Sequence, residues 1–375
     1  MRKNIFLALS FICASAGFAQ LSAPARIGQY GFTQLMVNGW AQSSGMGNSN
    51  SASVSGVESF FWNIAGLGKV NGTELAFSRS AWLVGTGINI NSFGFAQALG
   101  KDGDGVIGLS VSSFSLGQIP ITTYEQPDGG IGTYKPSISN INLGYAYNFG
   151  ERISAGLNIK LATESTPDVR VSALGIDAGL QYADLLSKKT EKYKDPETNP
   201  AAERGSDIRF GVSIKNLGTD VRYYGDGLAA KSNIDGKNYT QTTLQRSDKT
   251  SLPSFINIGL AYDFRLDQKK DMYYNRLTMA TSFTSNVAAA NQTSLGLEYA
   301  YKEMLMLRAG YNYEKGIFNY DTRNNAYTGM NMGATVQIPI KKDGKRGGYV
   351  GIDYSFRQSR PFSGTHTFGM RVTLN

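Results

Sequence analysis

The stretch LGLEYAYKEMLMLRAGYNY, residues 295–313, decides the fold of this chain. On both sides of Lys302-Glu303-Met304, large apolar or aromatic side chains alternate with small or polar ones. A period of two residues places alternate side chains on opposite faces of a β-strand. The stretch is therefore predicted to be a β-hairpin with one apolar face, and the question is which face lies inside the protein.

The composition narrows the class of protein. The chain has 375 residues, 41% of them hydrophobic, and a mean hydropathy of -0.25. No segment after the N-terminal leader has the ~18 to 20 unbroken apolar residues that a membrane helix needs, which excludes a helical membrane protein. Gly (44), Tyr (21) and Phe (19) are abundant, and alternating segments rich in glycine and aromatic residues are typical of a transmembrane β-barrel. A soluble β-sandwich or barrel is the alternative.

The N-terminus has the pattern of a secretory signal peptide. Arg2 and Lys3 precede an apolar run over 5–16, and small residues then predict cleavage after Ala19. Cys13, the only cysteine, lies in this segment, so we expect a mature chain without disulfide or thiolate chemistry. Although the formal net charge is +8, nucleic acid is not an expected partner of an exported chain.

The alternation continues along the chain and predicts fourteen strands. They are expected at 73–83, 86–99, 105–116, 137–149, 152–164, 169–184, 206–217, 254–265, 273–286, 292–301, 305–313, 326–340, 347–358 and 364–375. Short links alternate with long ones, as when short turns face the periplasm and long loops face outside. The outer loops are predicted at 118–136, 218–253 and 314–325, while the Lys/Glu/Pro-rich stretch 185–205 is an exception on the turn side.

Each predicted strand has an apolar row and a polar row. Leu143, Ile159 and Ile352 belong to apolar rows, whereas Asn158 and Lys160 belong to a polar row. The interior of a fourteen-stranded barrel is too wide for side chains to fill, so the apolar rows are predicted to face lipid and the polar rows the lumen. Closure leaves no unpaired strand edge in lipid. The fold class is thus predicted as all-β, a transmembrane antiparallel β-barrel of about 14 strands in the outer membrane of a Gram-negative cell.

Three segments follow from this interpretation. A signal peptide covers 1–19, a segment without a strand pattern covers 20–72, and the barrel covers 73–375. We expect a monomer with both termini in the periplasm, because an even number of strands returns the chain to the side on which it began.

The apolar face of the opening hairpin also fixes its register. A three-residue loop pairs Tyr301 with Leu305, which places Glu298 opposite Arg308. Such a pair of opposite charges on the lumenal face stabilises the hairpin, with or without a role in transport. We expect exchange of the two charges to be tolerated better than reversal of either one.

Several motifs resemble catalytic or binding sites, but the sequence around them does not match such sites. The pattern G-x-G-x-x-G at 103–108 precedes a strand pattern and not a helix, which argues against a dinucleotide site. Asp102 and Asp104 resemble the start of a calcium loop, but Ser113 stands where the loop needs a Glu. His366 is the only histidine, which argues against a Ser-His-Asp hydrolase or a histidine metal site. We expect no enzyme activity and no cofactor.

The segment before the first strand differs in kind. It contains SSGMGNSNSASVSGVESFFWNIAGLGKV, residues 43–70, and lacks the alternation of a strand pair. It resembles the N-terminal hatch of FadL-type outer-membrane proteins, in which small residues lead into Asn-Pro-Ala-x-Leu. Here Ile64 stands in the place of the proline. The resemblance implies that residues 20–72 are an N-terminal hatch or plug, to which four residues belong, namely Asn63, Ala65, Gly66 and Leu67.

A closer resemblance is to the PorV/PorQ family, a FadL-like branch associated with the type IX secretion system. Five stretches carry it: SSGMGNS at 43–49, FFWNIAGL at 60–67, FGVSIKNLGTDVRYYGDG at 210–227, LPSFINIGLAYDF at 252–264, and the opening hairpin. The C-terminal Leu374-Asn375 departs from the aromatic end of many outer-membrane barrels. The resemblance implies a barrel that binds the C-terminal signal domain of secreted cargo, or other components of the secretion system.

Two functions of different classes follow. In the first, the barrel binds cargo or a translocon subunit through its outer loops, with outer-membrane lipid around its wall; rigid aromatic side chains and neighbouring charges are typical anchors of protein interfaces. The candidate partner-binding residues are Arg222, Tyr223, Tyr224, Asp226, Tyr124 and Tyr134. In the second, the barrel is a FadL-like channel that takes up hydrophobic small molecules through the hatch.

Overall fold

The computed structural model describes residues 29–100, 104–184, 208–233, 239–266, 274–319, 321, 323, 325–342 and 345–374. The predicted signal peptide and the whole stretch 185–205 lie outside these residues. The fourteen-stranded barrel predicted from the sequence is confirmed: the described chain forms a closed, fully antiparallel barrel.

Eighteen strands occur in the described chain, fourteen of them in the barrel. The barrel strands are β1 (Thr73–Ala81), β2 (Asn89–Leu99), β3 (Gly105–Ser115), β6 (Ser137–Phe149), β7 (Ile153–Ser165), β8 (Arg170–Asp184), β9 (Ile208–Gly218), β12 (Phe255–Arg265), β13 (Asn275–Asn286), β14 (Gln292–Tyr301), β15 (Leu305–Glu314), β16 (Tyr327–Lys342), β17 (Lys345–Ser359) and β18 (Thr365–Leu374). Two small hairpins lie in the loops, β4 (Ile119–Pro120) with β5 (Thr133–Tyr134), and β10 (Ala229–Asn233) with β11 (Thr240–Leu244).

Each barrel strand pairs with the next one along the chain, and β1 pairs with β18 to close the wall. The opening hairpin has the predicted register, with Tyr301 opposite Leu305 and Glu298 opposite Arg308. Closure satisfies the backbone groups of the first and last strands, which would otherwise form open edges.

The barrel has two ends that differ in the length of their links. At the end that we call the turn end, β6 and β7 are joined by a short turn, as are β14 and β15. At the opposite end, which we call the loop end, long connections join β3 to β6, β9 to β12 and β15 to β16. The last strand, β18, ends at the turn end.

The apolar rows of the strands face outward. Leu143 is 54% exposed, Ile159 57% and Ile352 61%, while Asn158 and Lys160, their neighbours in the polar row, are buried. In a soluble protein most large apolar side chains are buried, whereas here they are exposed around a closed barrel. This arrangement fits a wall that contacts lipid.

The helices of the described residues are short and, with one exception, precede β1. They are α1 (Ala41–Gly45) and the 3₁₀ turns Thr33–Met36, Gly56–Phe60, Ile64–Lys69 and Asp226–Leu228. Within the described chain, every helix is too short to cross a membrane. The first four helical pieces are largely buried and pack against the inner face of the barrel.

Candidate functional site

Residues 29–72, which we call the lumenal segment, lie inside the barrel. The segment starts at the loop end, where Tyr30 forms a bridge with Ser251 and the amide of Gly31 donates to Ser251 O at 3.2 Å. It joins β1 at the turn end. The sequence predicted both termini at the turn end; β18 agrees, but the first described residues lie at the loop end, and residues 1–28 are outside the described chain.

Asn63 connects the lumenal segment to the wall. Its Nδ2 donates to Ser51 O at 3.1 Å and to Leu180 O at 3.0 Å, while its Oδ1 accepts from the amide of Ala65 at 3.2 Å. The last bond caps the 3₁₀ turn Ile64–Lys69. Ala65 and Leu67 are fully buried, and a Cβ on Gly66 would overlap Val54 O. The four predicted hatch residues therefore form one packed turn against the wall.

The wall accommodates the lumenal segment through a belt of inward-facing glycines. A Cβ added at any of them would lie within 3.0 Å of an atom of the segment. We call these residues the glycine belt: Gly94, Gly108, Gly144, Gly156, Gly179, Gly211, Gly259, Gly296, Gly310 and Gly333. Glycine allows two backbones to approach more closely than any other residue does. The fit is thus built into ten strands of the barrel.

Two small cavities lined by described residues lie beside the lumenal segment. One cavity of about 40 Å³ lies between the segment and the inner faces of β3, β6, β7 and β9. Another of about 20 Å³ lies next to Glu298 and Arg308. A single water needs ~10 to 15 Å³, so each of these cavities holds only one to a few waters.

Buried charges form a chain of contacts near the turn end, from β9 through to β18. We call it the charge ladder; its charged members are Arg209, Asp263, Arg276, Glu298, Arg308, Asp353 and Arg371, with the neutral Thr335 bridging Arg308 and Asp353 and with Gln42 bridging Asp353 and Arg371. Gln42 of the lumenal segment joins it, with Nε2 2.9 Å from Asp353 Oδ1 and Oε1 3.3 Å from Arg371 Nη1. Opposite charges alternate, and the ladder ties the segment to the wall.

The predicted pair Glu298 and Arg308 lies in this ladder. Arg308 Nε is 2.6 Å from Glu298 Oε2, and Arg276 Nη2 is 2.8 Å from Glu298 Oε1. Arg276 also contacts Glu303 of the turn at 2.6 Å. The contacts of Arg276 with Glu298 and Glu303 were not predicted from the sequence. Glu303 was missed because it is a turn residue whose side chain folds back into the lumen, where it is 7% exposed.

A second buried cluster surrounds Asp177. Strand β9 has two residues, Lys215 and Asn216, opposite Asp177 of β8, which is a β-bulge. Asn216 has a φ of 59°, and both bulge residues are buried. The bulge therefore turns two consecutive side chains inward, which strict alternation does not allow. The only sequence signal was the polar pair itself at the end of an alternating strand.

The described parts of the loop between β9 and β12, residues 219–233 and 239–254, fold back onto the barrel. Val221 forms a bridge with Thr250, and Arg170 forms one with Tyr224. The Arg170 guanidinium also lies 5.0 Å from the centre of the Tyr224 ring, a cation–π contact. We call this loop the cap.

The cap brings four of the predicted binding residues together but does not expose them equally. Tyr223 is half-buried, and its hydroxyl donates to Glu164 Oε2 at 2.5 Å. Burial and this carboxylate raise the pKa of Tyr223 above its usual range. Arg222, Tyr224 and Asp226 remain exposed. Tyr223 is thus an anchor of the cap, and its neighbours form the accessible surface.

The other two predicted residues lie in a different loop, between β3 and β6. Tyr124 is fully exposed, whereas Tyr134 is half-buried and pairs with Ile119 in the small hairpin of β4 and β5. This loop carries further exposed apolar side chains, Ile121 and Ile131.

Comparison with known proteins gives similarity in structure only. No protein-family model matches the chain, and no curated protein matches it in sequence. A monoaromatic hydrocarbon channel, CymD, superposes with a TM-score of 0.49 at 12% identity, covering 92% of this chain and 98% of its own. A mutant of the TodX monoaromatic hydrocarbon channel gives 0.48 at 12% identity, with coverage of 89% and 97%. The Acinetobacter baumannii outer membrane protein Omp33 gives 0.37 at 9% identity, with coverage of 82% and 99%.

Proposed function

We propose that the protein is an outer-membrane β-barrel that binds other proteins at its loop end, as a component of type IX protein secretion. In this role it binds the C-terminal signal domain of secreted cargo or partners the translocon. The observation that carries the proposal is the filled lumen. The lumenal segment rests on the glycine belt and is tied to the charge ladder, and the two cavities beside it that described residues line hold only a few waters.

A location in the outer membrane is supported by the wall itself. Closed barrels with an outward apolar band satisfy every wall hydrogen bond without water. The exposed side chains include Leu157 at 61%, Ile338 at 61% and Phe368 at 60%, on strands spread around the barrel.

The cap supports a binding role because it offers charge and aromatic area on a fixed frame. Arg222 Nη1 donates to Ser247 O at 3.0 Å, which holds this exposed side chain in place. Tyr224 is 51% exposed and is stacked on Arg170. Side chains that are already ordered lose less entropy when a partner binds. The sequence resemblance to the PorV/PorQ family supplies the kind of partner.

The test replaces the hairpin 229–244 of the cap with a short Gly/Ser link. Val221 still pairs with Thr250 and Tyr30 with Ser251, so the barrel is expected to insert and to remain heat-modifiable on gels. Capture of cargo that bears the C-terminal signal domain is expected to be lost. Tyr301→Ala removes an exposed aromatic at the turn end and serves as a control that retains capture. Normal export of such cargo by a strain that lacks the whole protein would overturn the proposal.

A groove in the outer wall favours a second function, the uptake of a hydrophobic small molecule. The groove has a volume of about 380 Å³ and opens between β12 and β16. Its lining is apolar and includes Tyr262, Met279 and Met332. Behind it lie Gly296 and Gly310 of the glycine belt, so only backbone separates the groove from the lumenal segment there.

The uptake function makes different predictions for two strains. A strain without the protein would lose its growth advantage on a hydrophobic nutrient and would keep protein export. Asn63→Ala, which removes the bonds to Ser51 O and Leu180 O, would change uptake without changing cargo capture. The opposite pattern, lost export with unchanged growth, would exclude uptake as the main function.

A further inference from the structure

Three buried charges lie together on the inner wall near the loop end, and they do not balance. Lys160 Nζ is 2.8 Å from Asp177 Oδ2, and Lys215 Nζ is 2.7 Å from the same oxygen. All three side chains are at most 5% exposed. Two ammonium groups share one carboxylate, so the cluster has a net charge of +1 when both lysines are protonated.

Among the described residues, the other hydrogen-bond partners of the two lysines are neutral. Lys160 also donates to Asn216 Oδ1 at 2.5 Å, and Lys215 donates to the carbonyl oxygen of Phe60 at 2.8 Å. Each lysine thus directs two of its three N–H groups to these acceptors and to Asp177. A buried positive charge without a counterion is strongly unfavourable.

A cavity of about 40 Å³ adjoins both lysines. Its polar side is completed by Gln34, Asn140 and Asn142, and none of the described residues that line it is acidic. The Nε2 of Gln34 is buried and has no hydrogen-bond partner within the described chain. The cavity therefore combines excess positive charge with an unused N–H donor, although the Oδ1 of Asn140 is a second buried atom without a partner in the described chain and is an acceptor. Because a water needs ~10 to 15 Å³, a single small ion with a water fits there, whereas a ligand with a long hydrocarbon tail does not.

We propose that this cavity binds a small monovalent anion, of which chloride is the physiological example. The anion would accept hydrogen bonds from the free N–H groups of Lys160 and Lys215 and from Gln34, and it would neutralise the cluster. Lys215 also holds Phe60 of the lumenal segment, so the bound anion stabilises the segment in its position inside the barrel. The site is independent of the secretion or uptake function proposed above.

The experiment uses the full mature protein in detergent, with chloride and gluconate buffers of equal ionic strength. Gluconate is too large for the cavity. We expect the wild type to broaden the chloride NMR resonance and to unfold at a higher temperature in chloride, because a ligand that binds only the folded state stabilises it by mass action. Bromide is expected to displace chloride. Formate tests whether a small carboxylate also enters the site.

Two variants and one control make the assignment specific. Lys215→Met is expected to abolish both the broadening and the chloride-dependent shift of the unfolding temperature. Gln34→Leu keeps all charges and is expected to weaken chloride binding about tenfold, the effect of one hydrogen bond to a charged group. Lys231→Met, at an exposed lysine of β10, should behave as the wild type.

The proposal would be overturned if the wild type and Gln34→Leu broadened the chloride resonance equally. This comparison remains possible even if Lys215→Met fails to insert. A wild type that neither broadens the resonance nor distinguishes the two buffers would also overturn it. Equal broadening would place the bound chloride outside this cavity, and the absence of broadening would indicate that one lysine of the cluster is neutral and that the cavity holds water alone.

Discussion

The glycine belt makes a quantitative prediction at Gly211 of β9. A Cβ at this position would lie 2.6 Å from Ser51 O, 2.8 Å from Ala52 Cα and 3.0 Å from Ala52 N. All three are backbone atoms of the lumenal segment, so no side-chain rotation relieves the overlap. The segment or the wall must move by almost 1 Å to restore an ordinary contact of about 3.4 Å. Overpacking of this kind costs about 1 to 3 kcal/mol, and we expect Gly211→Ala to destabilise the barrel by that amount.

Gly351 of β17 is the matched control. It also faces inward on a barrel strand, but the nearest atoms to an added Cβ are Arg371 Nη2 at 3.8 Å and Val336 O at 4.0 Å. Gly351→Ala is therefore expected to be neutral or to stabilise the barrel by up to about 1 kcal/mol, because alanine reduces the conformational entropy of the unfolded chain. The two variants make the same chemical change and differ only in what the new methyl group meets.

The assay is equilibrium unfolding by urea in lipid vesicles, followed by tryptophan fluorescence. Two of the three tryptophans, Trp40 and Trp62, are buried in the lumenal segment, so their emission also reports whether the segment has moved. Equal free energies of unfolding for Gly211→Ala and Gly351→Ala, with unchanged emission, would refute the idea that the belt exists to seat the segment.

Three further predictions concern the ladder, the wall and the cap. Glu298→Gln removes the carboxylate partner of the buried Arg308, while Arg276 keeps its contact with Glu303, and should cost about 3 to 5 kcal/mol. Arg308→Gln leaves Glu298 with its other arginine and should cost less; a larger loss for Arg308→Gln by urea unfolding would contradict the ladder. Leu143→Arg should cost about 2 to 4 kcal/mol in vesicles if this position is near the bilayer midplane, whereas Leu143→Phe should be tolerated. Because the pKa of Tyr223 is raised in the folded state, its contribution is present below the pKa of an unfolded tyrosine and is lost as the pH rises through the folded pKa. Tyr223→Phe should remove this part of the alkaline loss of stability, and an unchanged pH profile would count against the buried hydroxyl.

The ladder also revises one expectation drawn from the sequence. For an isolated pair of charges in a lumen filled with water, exchange of Glu298 and Arg308 is expected to be tolerated. In the structure Glu298 contacts Arg276 as well, at 2.8 Å, and both members of the pair are buried. The exchange would place two arginines side by side, so it is now expected to be as harmful as a single reversal.

The sequence by itself determined the wall of this protein. The period of two residues is a local property, so it reveals which side chains share a face, where strands turn and how neighbouring strands are in register. Leu143, Ile159 and the pair Glu298–Arg308 could be assigned to their faces in this way. The number of strands and closure followed from the same pattern.

Only the tertiary structure decided what lies inside the wall. Asn63 meets a carbonyl 117 residues away, and Gln42 meets Asp353 at a separation of 311 residues. The bulge at Lys215 and Asn216 breaks the local period of two residues. Asp177, which accepts a hydrogen bond from the amide of Asn216 there, belongs to the neighbouring strand. The direction in which the lumenal segment enters depends on the contact of Tyr30 with Ser251. A strand pattern indicates which side chains face the lumen, but the partners that they meet there come from distant parts of the chain and depend on how the closed barrel surrounds its N-terminal segment.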